Sequence, residues 1–431
     1  MKDDVIKPAR ETLGHRAISH CMALRRISEA EDNYTRLAFT SEHRQASVLI
    51  SRWMTDAGLK VRTDAGGNVI GRLEGAHENA PALVLGSHQD TVRDAGSYDG
   101  MLGITSAIMA VGHFAERRTP LPFALEVYAF TDEEGTRFRT TYLGSEMVAG
   151  TYRETTLAMT DRNGLTLAEA MTAYGLDPSR IEEASRDPRE LLGYLELHIE
   201  QGPVLQNEGL SVASVTGISG QTRMTCSFTG TAGHAGTVPM GMRRDALAAA
   251  AEAIHGIENL FRYSNGIVGT VGMLDVFPGA ANVIPGHCSF SIDIRSLSDT
   301  LREDAVQTVK SMIRHIAVHR ELEHAFEVTN DTNAVECDAE MVSIATEACA
   351  EVSGRSFTMP SGAGHDACAI AEICPTAMVF VRCKDGISHN PAEHVEPEDA
   401  RDGIAALIAS IDALGIRWAK KARDRAELLT P

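Results

Sequence analysis

Two apolar segments in the first third of the chain, separated by a helical pattern, constrain its fold most strongly. The segments are PALVLGS at 81–87 and PFALEVYAF at 122–130, and the helical pattern covers 103–114. A short and almost continuously apolar segment is typical of a strand that is buried on both faces of a sheet. Strand, helix and strand in succession form the unit from which parallel sheets are built. The sequence therefore predicts an α/β fold with a mostly parallel sheet.

A second arrangement of elements interrupts this pattern in the middle of the chain. It predicts a strand, a helix, two strands, a helix and a last strand, which is the βαββαβ order of a ferredoxin-like domain. The apolar segment PTAMVFVRC at 375–383 and a helix near 398–414 then return to the first pattern. We therefore predict one α/β domain made of residues 1–217 and 334–431, into which a ferredoxin-like domain of residues 218–333 is inserted.

The charge and composition argue against several classes of protein. The 431 residues include 59 acidic and 40 basic ones, and a formal charge of −19 repels nucleic-acid phosphates. No apolar run reaches the about 18 residues that a membrane span needs, and the N-terminal sequence lacks the apolar core of a secretory signal, so we predict a cytoplasmic protein. The eight cysteines include no CxxC pair, which predicts buried thiols rather than a zinc knuckle or disulfides.

Side chains that can bind metal ions stand at the ends of four predicted strands. They are His88, Asp90 and Asp99 after the first apolar segment, Asp132, Glu133 and Glu134 after the second, His198 and Glu200 in YLELHIEQG, and His389 in ISHNPAEH. Taken singly, a histidine at a strand end is usually a structural hydrogen-bonding group, and an acidic triplet is usually a solvated turn or a helix cap. Open α/β sheets bind ligands at the carboxyl ends of their strands, so four such ends together predict one common site.

The chemistry of these side chains favours a pair of metal ions. Imidazole and carboxylate without thiolate form a ligand set that zinc, manganese, cobalt or nickel accepts. Three histidines and two or three carboxylates are enough for two ions that share one bridging carboxylate. Such a pair can both activate a water and polarise a carbonyl group. One acidic side chain must then stay free of metal to accept the proton of the water.

The motifs resemble those of the M20-type metallo-amidohydrolases. The likeness is greatest to the branch that contains N-carbamoyl-L-amino acid hydrolases, allantoate amidohydrolases and β-ureidopropionases, and it extends from about residue 15 to 415. The matching motifs, which occur in the family's order, are His88-x-Asp90, Asp99-Gly100, Glu133-Glu134, LHIEQG, GTAGHAGTVPM, GAANVIPG, SGAGHDA and SHNPAEH.

This resemblance implies a role for each metal-competent residue. Asp99 would bridge two divalent ions in each subunit. His88 and His198 would complete one metal site, and Glu134 and His389 would complete the other.

The resemblance also implies roles for the neighbours of the ligands. Asp90 would hydrogen-bond the second ring nitrogen of His88 and fix its tautomer. Glu133 would be the general base, which deprotonates the bridging water and passes the proton to the leaving nitrogen. Glu133 and Glu134 can act differently because successive side chains of an extended segment point in opposite directions. For His365, in SGAGHDA, a place behind the ligands and a capping or packing role both remain open.

The predicted inserted domain resembles the family's dimerisation and lid domain. His234 would reach across a homodimer interface and donate a hydrogen bond to the tetrahedral oxyanion. Asn282 and Arg295 would hold the carboxylate of the substrate, and a bidentate arginine suits that task. From position alone, Arg295 would be a solvated charge at a strand end. Gln201 and Gly362 would line the substrate pocket.

Two features of the motifs favour a small ureido acid over a peptide as substrate. His88 and Asp99 lie only eleven positions apart, and His198 stands where the family's peptidases carry a carboxylate. The leading hypothesis is a two-metal N-carbamoyl-L-amino acid amidohydrolase. Allantoate amidohydrolase and β-ureidopropionase are the close alternatives, and a dipeptidase or aminoacylase is a more distant one. A scaffold that has lost its metals is disfavoured, because every ligand position is filled.

Overall fold

The computed structural model describes residues 7–428, and the side chains of residues 13–420. The chain forms two compact units. The first unit comprises the residues up to Thr216 and those from Cys337 onwards, and the inserted unit is Gly217–Glu336. These limits lie close to the boundaries expected from the sequence, at 217/218 and 333/334.

The secondary structure alternates helices and strands through most of the first unit. The strands, in chain order, are β1 Lys60–Thr63, β2 Val69–Leu73, β3 Ala82–His88, β4 Ala124–Phe130, β5 Leu191–Ile199, β6 Val212–Ile218, β7 Gly220–Thr229, β8 Gly233–His234, β9 Ile267–Thr270, β10 Leu274–Phe277, β11 Val283–Ile284, β12 His287–Ser296, β13 Glu323–Thr332, β14 Val335–Glu336, β15 Thr358–Ser361 and β16 Thr376–Val381.

The helices are distributed over both units. In chain order they are α1 Lys7–Arg25, α2 Ser41–Asp56, α3 Met101–Ala115, α4 Leu143–Ala149, α5 Leu167–Tyr174, α6 Val204–Glu208, α7 Ala246–Arg262, α8 Asp299–His319, α9 Ala339–Ser353, α10 Ala367–Ile370 and α11 Pro397–Leu428. Short 3-10 helices cover Glu154–Ala158, Pro178–Ala184, Pro188–Glu190, Met240–Met242 and Lys384–Gly386. The closing helix α11 is longer than the predicted 398–414.

The sheet of the first unit has four parallel strands at its centre. Its order is β1-β2-β4-β3-β5-β16-β6, with β15 paired to β6. The strands β4, β3, β5 and β16 run parallel, and the flanking strands pair antiparallel. Every residue of β3 and β4 is buried, which is why their sequences are almost continuously apolar. The predicted α/β fold with a parallel central sheet is confirmed.

Helix α3 lies close against the centre of this sheet. It begins directly after Asp99 and Gly100, and it contacts β3 and β5. Gly103 permits this approach, because a Cβ atom at this position would lie 2.4 Å from the carbonyl oxygen of Leu197 and 2.6 Å from Cβ of Ser87. These two residues directly precede His198 and His88, so the packing of α3 also fixes the strand ends that carry the two histidines.

The inserted unit is built on a separate antiparallel sheet. Its order is β10-β12-β7-β13, and β9 also pairs with β12. Buried residues alternate with more exposed ones along β7 and β12, as expected for strands with one face under α7 and α8. The elements follow the predicted sequence of strands and helices, except that the second strand is divided into β9 and β10. The short strands β8 and β11 form an additional pair.

Two other predictions from the composition can be compared with the structure. None of the helices in the described residues is both long and apolar enough to cross a membrane. The eight cysteines are free thiols, and all except Cys337 and Cys368 are buried. The prediction of buried, unbonded thiols therefore holds for most of them.

Candidate metal centre

The predicted metal ligands come together at the carboxyl ends of the four parallel strands. His88 is the last residue of β3, and His198 is the next to last residue of β5. Glu134 follows the end of β4, and His389 lies in the segment after β16. Because these strands are neighbours and parallel, their ends lie at one edge of the sheet.

Asp99 lies between the other four predicted ligands. Its Oδ1 atom is 3.3 Å from Nε2 of His88 and 3.2 Å from Nε2 of His198. Its Oδ2 atom is 3.3 Å from Nε2 of His389, which is 3.5 Å from Oε1 of Glu134. One carboxylate thus faces two histidines with one oxygen, and a histidine and a glutamate with the other.

The tautomers of His88 and His198 determine whether Nε2 of each ring offers a proton or a lone pair to Asp99. Nδ1 of His88 lies 3.0 Å from the carbonyl oxygen of Asp90, and Nδ1 of His198 lies 3.0 Å from that of Ile199. A carbonyl oxygen only accepts, so each Nδ1 carries a proton. A neutral imidazole then directs the lone pair of Nε2 at the carboxylate of Asp99. A cation shared between nitrogen and oxygen removes this repulsion.

The burial of these groups makes their charges depend strongly on one another. Burial lowers the pKa of His88, but hydrogen bonding to Asp99 and the nearby carboxylates raise it well above its ordinary value. Burial raises the pKa of Asp99, but His198, His389 and His88 hold it well below its usual range. A hydrogen bond to Asp99 raises the pKa of His389 to about 9. The cluster therefore favours positive charge next to Asp99.

The donor atoms fit two metal ions. His88, Asp99 and His198 each offer a ligand atom within 4.8 Å of the others, and so do Asp99, Glu134 and His389. Nε2 of His198 is buried and has no hydrogen-bond partner among the described residues. These two groups contain the five ligands that the sequence resemblance implies, with Asp99 common to both.

The carboxylate of Asp90 does not make the hydrogen bond to His88 that the sequence resemblance implies. Its carboxylate lies 3.8 Å from Nδ1 of His88, and its main-chain carbonyl makes the hydrogen bond to that nitrogen instead. The carboxylate accepts hydrogen bonds from the backbone N–H groups of Glu133, at 3.0 Å, and Glu134, at 3.2 Å. The predicted carboxylate contact with His88 is wrong, because the carbonyl oxygen of Asp90 lies closer to Nδ1 and accepts its single proton.

Glu133 is buried beside the ligand cluster. A carboxylate oxygen of Glu133, a ring nitrogen of His88 and a carboxylate oxygen of Glu134 lie within 4.8 Å of one another. Burial raises the pKa of Glu133 well above its ordinary value, although His88 opposes the change. Burial and the nearby Asp99 raise the pKa of Glu134 to about 7.

Two polar side chains hold the second oxygen of Asp99. Nε2 of Gln201 and Oγ of Ser388 each donate to Oδ2 of Asp99 at 2.7 Å. Gln201, which was predicted to line the pocket, thus contacts the proposed bridging ligand itself. Ser388 was not predicted, because a serine beside His389 carries no distinctive signal in the sequence.

A buried polar layer behind the histidines was largely missed. Glu196 accepts hydrogen bonds from Oγ of Ser87, at 2.9 Å, and from the backbone N–H of Ala367, at 3.2 Å. The ring of His365 packs edge-on against His198, with 4.5 Å between centroids, and its Nε2 contacts Oγ of Ser361 at 2.8 Å. The position of Glu196 two residues before His198 on one strand was the available signal.

Glu200 lies outside the cluster of ligands. Its two carboxylate oxygens accept the backbone N–H groups of Val204, at 2.6 Å, and Leu205, at 2.9 Å. It therefore holds the start of α6. Glu200 belongs to none of the candidate metal-binding groups found among the described residues.

The inserted unit brings His234 and Asn282 together. His234 pairs with Val283 across β8 and β11, and the carbonyl oxygen of Asn282 accepts the N–H of Ala235 at 3.0 Å. Nδ1 of His234 accepts the backbone N–H of Gly236 at 3.1 Å. The neutral His234 ring therefore carries its proton on Nε2 and presents a donor there.

The other two predicted substrate-binding residues, Arg295 and Gly362, belong to different units. Arg295, on β12, donates from Nε and Nη2 to the carboxylate of Asp293, at 2.9 and 3.0 Å. Gly362 lies in the first unit, and a Cβ atom added there would meet nothing within 4 Å. The space next to Gly362 is compatible with its predicted place in the wall of a pocket. Asp293 fixes the direction of the Arg295 side chain.

Comparisons with known proteins agree on one group of hydrolases. The sequence pattern of peptidase family M20/M25/M40 matches residues 84–413. The N-carbamoyl-L-amino acid amidohydrolase of Geobacillus stearothermophilus is 42% identical over 377 residues, which cover 88% of this chain and 92% of the relative. Allantoate deiminase 1 of Glycine max is 39% identical over 429 residues, which cover 92% of this chain and 89% of the relative.

A solved structure extends this similarity to the fold. An amidase of the hydantoinase/carbamoylase family from Burkholderia multivorans superposes with a TM-score of 0.86 at 33% sequence identity. The superposition covers 92% of this chain and 97% of that one.

Proposed function

This chain belongs to peptidase family M20/M25/M40 and is a hydrolase of non-peptide amides, and on that premise we propose that it hydrolyses an N-carbamoyl-L-amino acid. Water would cleave the ureido group, R–NH–CO–NH2, to the amine R–NH2, carbon dioxide and ammonia. The support for this substrate is the similarity to the Geobacillus amidohydrolase over most of both chains.

The arrangement of Asp99 is the observation that carries the proposed two-metal chemistry. Its two oxygens face two different sets of donors, at 3.2 to 3.3 Å from histidine nitrogens on both sides. We assign His88, Asp99 and His198 to one divalent ion, and Asp99, Glu134 and His389 to the other. Zinc, manganese, cobalt and nickel all accept such ligands. When bound, two such ions activate a water and polarise the carbonyl group of the substrate.

Glu133 is the side chain that suits proton transfer. It is buried beside His88, and its backbone is held by the carboxylate of Asp90. In the proposed reaction Glu133 accepts a proton from the attacking water and delivers it to the leaving nitrogen. Proton transfer by a positioned side chain contributes about 10²–10⁴-fold to the rate.

The inserted unit is proposed to be a ferredoxin-like dimerisation and lid domain. Its strand β10 lies at one edge of the sheet and exposes Leu274 and Phe277, which are 45% and 68% accessible. An exposed apolar edge strand is a common surface for pairing with another chain. In the proposed homodimer, Nε2 of His234 from one subunit donates to the oxyanion formed at the other. Asn282 and Arg295 would bind the carboxylate of the substrate.

Allantoate is the second candidate substrate. The 39% identity to the soybean allantoate deiminase, over nearly the whole of both chains, favours it. Allantoate also carries a carboxylate and ureido groups, so the same residues could act on it. β-Ureidopropionate is a further close alternative, whereas the spacing of His88 and Asp99 and the presence of His198 disfavour a dipeptide.

Release of ammonia by the manganese-loaded protein tests this proposal. The substrates are N-carbamoyl-L-amino acids, allantoate, β-ureidopropionate and a set of dipeptides, and Glu133→Gln is the blank. We expect turnover of a carbamoyl amino acid, and a fall of about 10²–10⁴-fold in kcat for Glu133→Gln, because the amide cannot accept the proton. Preference for allantoate would favour the second candidate. Turnover of dipeptides alone would contradict the substrate, and failure to bind metal would contradict the two-metal site.

A further inference from the structure

One short segment contacts Asp99 at both its backbone and its side chain. Oγ of Ser388 donates to Oδ2 of Asp99 at 2.7 Å, and Nε2 of His389 lies 3.3 Å from the same oxygen. Four residues further on, Oε1 of Glu393 accepts the backbone N–H of Asp99 at 3.1 Å. The segment 388–393 therefore defines where the carboxylate of Asp99 lies relative to His389.

Glu393 is built into the loop that carries Asp99. Its side chain is only 4% exposed, and its Oε1 also accepts the N–H of Tyr98 at 2.7 Å. Gly96 makes room for it, because a Cβ atom on Gly96 would lie 2.1 Å from Cδ of Glu393 and 2.3 Å from Oε1. Oε2 is buried and has no hydrogen-bond partner within the described part of the chain. Such a group is costly to bury, so its retention here calls for a specific role.

We propose that Glu393 is a positioning residue, which holds the loop of Asp99 in register with His389 so that one carboxylate can serve both ligand groups. The inference rests on the proposed two-metal function. The hydrogen bonds of the Glu393 side chain within the described residues go to the backbone and not to a ligand side chain. Glu393 acts through the backbone N–H groups of Tyr98 and Asp99, which donate to one of its oxygens and so fix the position of the loop.

The geometry predicts which ligand group depends most on Glu393. His88 and His198 are held by their own strands, β3 and β5, and by carbonyl contacts of their Nδ1 atoms. His389 has no strand of its own, lies at a positive φ of 53° and is half exposed. Loss of Glu393 should therefore weaken the ion of the group Asp99, Glu134 and His389 more than the other ion.

Three substitutions at Glu393 distinguish an effect of the position of its oxygen from an effect of its charge. Glu393→Gln keeps the length and an acceptor oxygen, Glu393→Asp keeps the charge but shortens the side chain, and Glu393→Ala removes both. The control is Asp245→Ala in the inserted unit, because one oxygen of Asp245 likewise accepts two backbone N–H groups, those of Leu247 and Ala248, at 3.0 Å. It has a matching pair of hydrogen bonds and belongs to the unit that contains none of the proposed metal ligands.

The measurement is the number and affinity of bound Mn²⁺ ions in the full-length proteins, from chelator competition and metal analysis, with thermal unfolding recorded alongside. We expect Glu393→Asp and Glu393→Ala to bind the weaker ion about 10–100-fold less tightly, as other outer partners of metal ligands do, with Glu393→Gln close to the wild type. Asp245→Ala should lower the melting temperature without changing Mn²⁺ affinity.

Several outcomes would overturn the inference. If Glu393→Asp binds both ions normally and Glu393→Gln does not, charge rather than position matters. If all three variants bind both Mn²⁺ ions as tightly as the wild type, Glu393 has only a structural role. A lowered melting temperature in these variants would not change that conclusion. If the wild type itself binds no Mn²⁺ in this assay, the two-metal function fails and the inference fails with it. Should Glu393→Ala not fold, the Asp and Gln variants still decide the question.

Discussion

The two units of the chain carry their proposed functional residues in opposite ways. In the first unit, β3 and β4 are buried along their whole length, and the carboxylates and imidazoles at their ends contact one another. In the inserted unit, β12 is buried on one face only, and His234 lies exposed on a two-residue strand. The proposed metal ligands are thus fixed from several strands at once, whereas the proposed oxyanion donor stands on an open surface.

The sharpest test of this comparison asks whether the two kinds of site come from different subunits. His234→Ala should lower kcat by about 10²–10³-fold, as the loss of an oxyanion donor does, with little loss of stability because the ring is exposed. Glu133→Gln should also lose activity, because its amide cannot accept the proton of the water. If His234 acts across a dimer interface, mixing the two variants should restore activity.

The expected recovery follows from the symmetry of the dimer. A mixed dimer contains one complete site, formed by Glu133 of one subunit and His234 of the other. Random exchange of subunits should therefore recover about a quarter of the wild-type rate for a two-fold dimer. Each variant incubated alone is the control. No recovery after demonstrated subunit exchange would mean that His234 does not act in trans.

A smaller effect should distinguish the densely packed sheet from the open surface. Gly103→Ala forces a methyl group against Leu197 and Ser87, so it should lower the free energy of unfolding by about 1–3 kcal/mol despite the better helix propensity of alanine. Gly241→Ala in the inserted unit is the matched control, because a Cβ there meets nothing within 4 Å. Denaturant unfolding measures both. Equal stabilities would show that α3 can shift without cost.

The last predicted effect concerns pH and a buried imidazole of the first unit, that of His43. Burial lowers the pKa of His43 to about 3, and its Nδ1 accepts the N–H of Phe39. Because the unfolded chain binds this proton near pH 6.5, the contribution of His43 is complete above that pH. It falls by about 1.4 kcal/mol per pH unit as the solution is acidified towards pH 3.

The pH dependence is tested with a residue that cannot titrate. His43→Asn keeps an acceptor for Phe39 and should flatten the decline of stability between pH 6.5 and 5. His324→Asn, at an exposed position of the inserted unit, is the control. Unfolding by urea at several pH values gives the slopes. An unchanged slope in His43→Asn would assign the acid sensitivity to other groups.

The sequence alone predicts the parts of the molecule whose signals are local. The apolar segments that became β3 and β4 show their burial directly, and His88, Glu134 and His198 lie at or shortly after the ends of three different strands. Glu393 was not predicted, because its partner Tyr98 lies 295 positions away. The hydrogen bond predicted between the carboxylate of Asp90 and His88 is wrong for a similar reason. The nearest donors to this carboxylate belong to a turn 43 and 44 positions further along the chain, which no local pattern reveals.

The place of β16 in the sheet has a consequence for synthesis on the ribosome. This strand pairs with β5 on one side and β6 on the other, yet it is made after the whole inserted unit. Since chains fold from the N-terminus as they emerge, β5 and β6 must wait without their common neighbour for more than a hundred residues. His389 emerges later still. The nascent chain therefore cannot assemble the proposed ligand set until His389 has emerged, and its open sheet edges are the feature that a chaperone would have to protect.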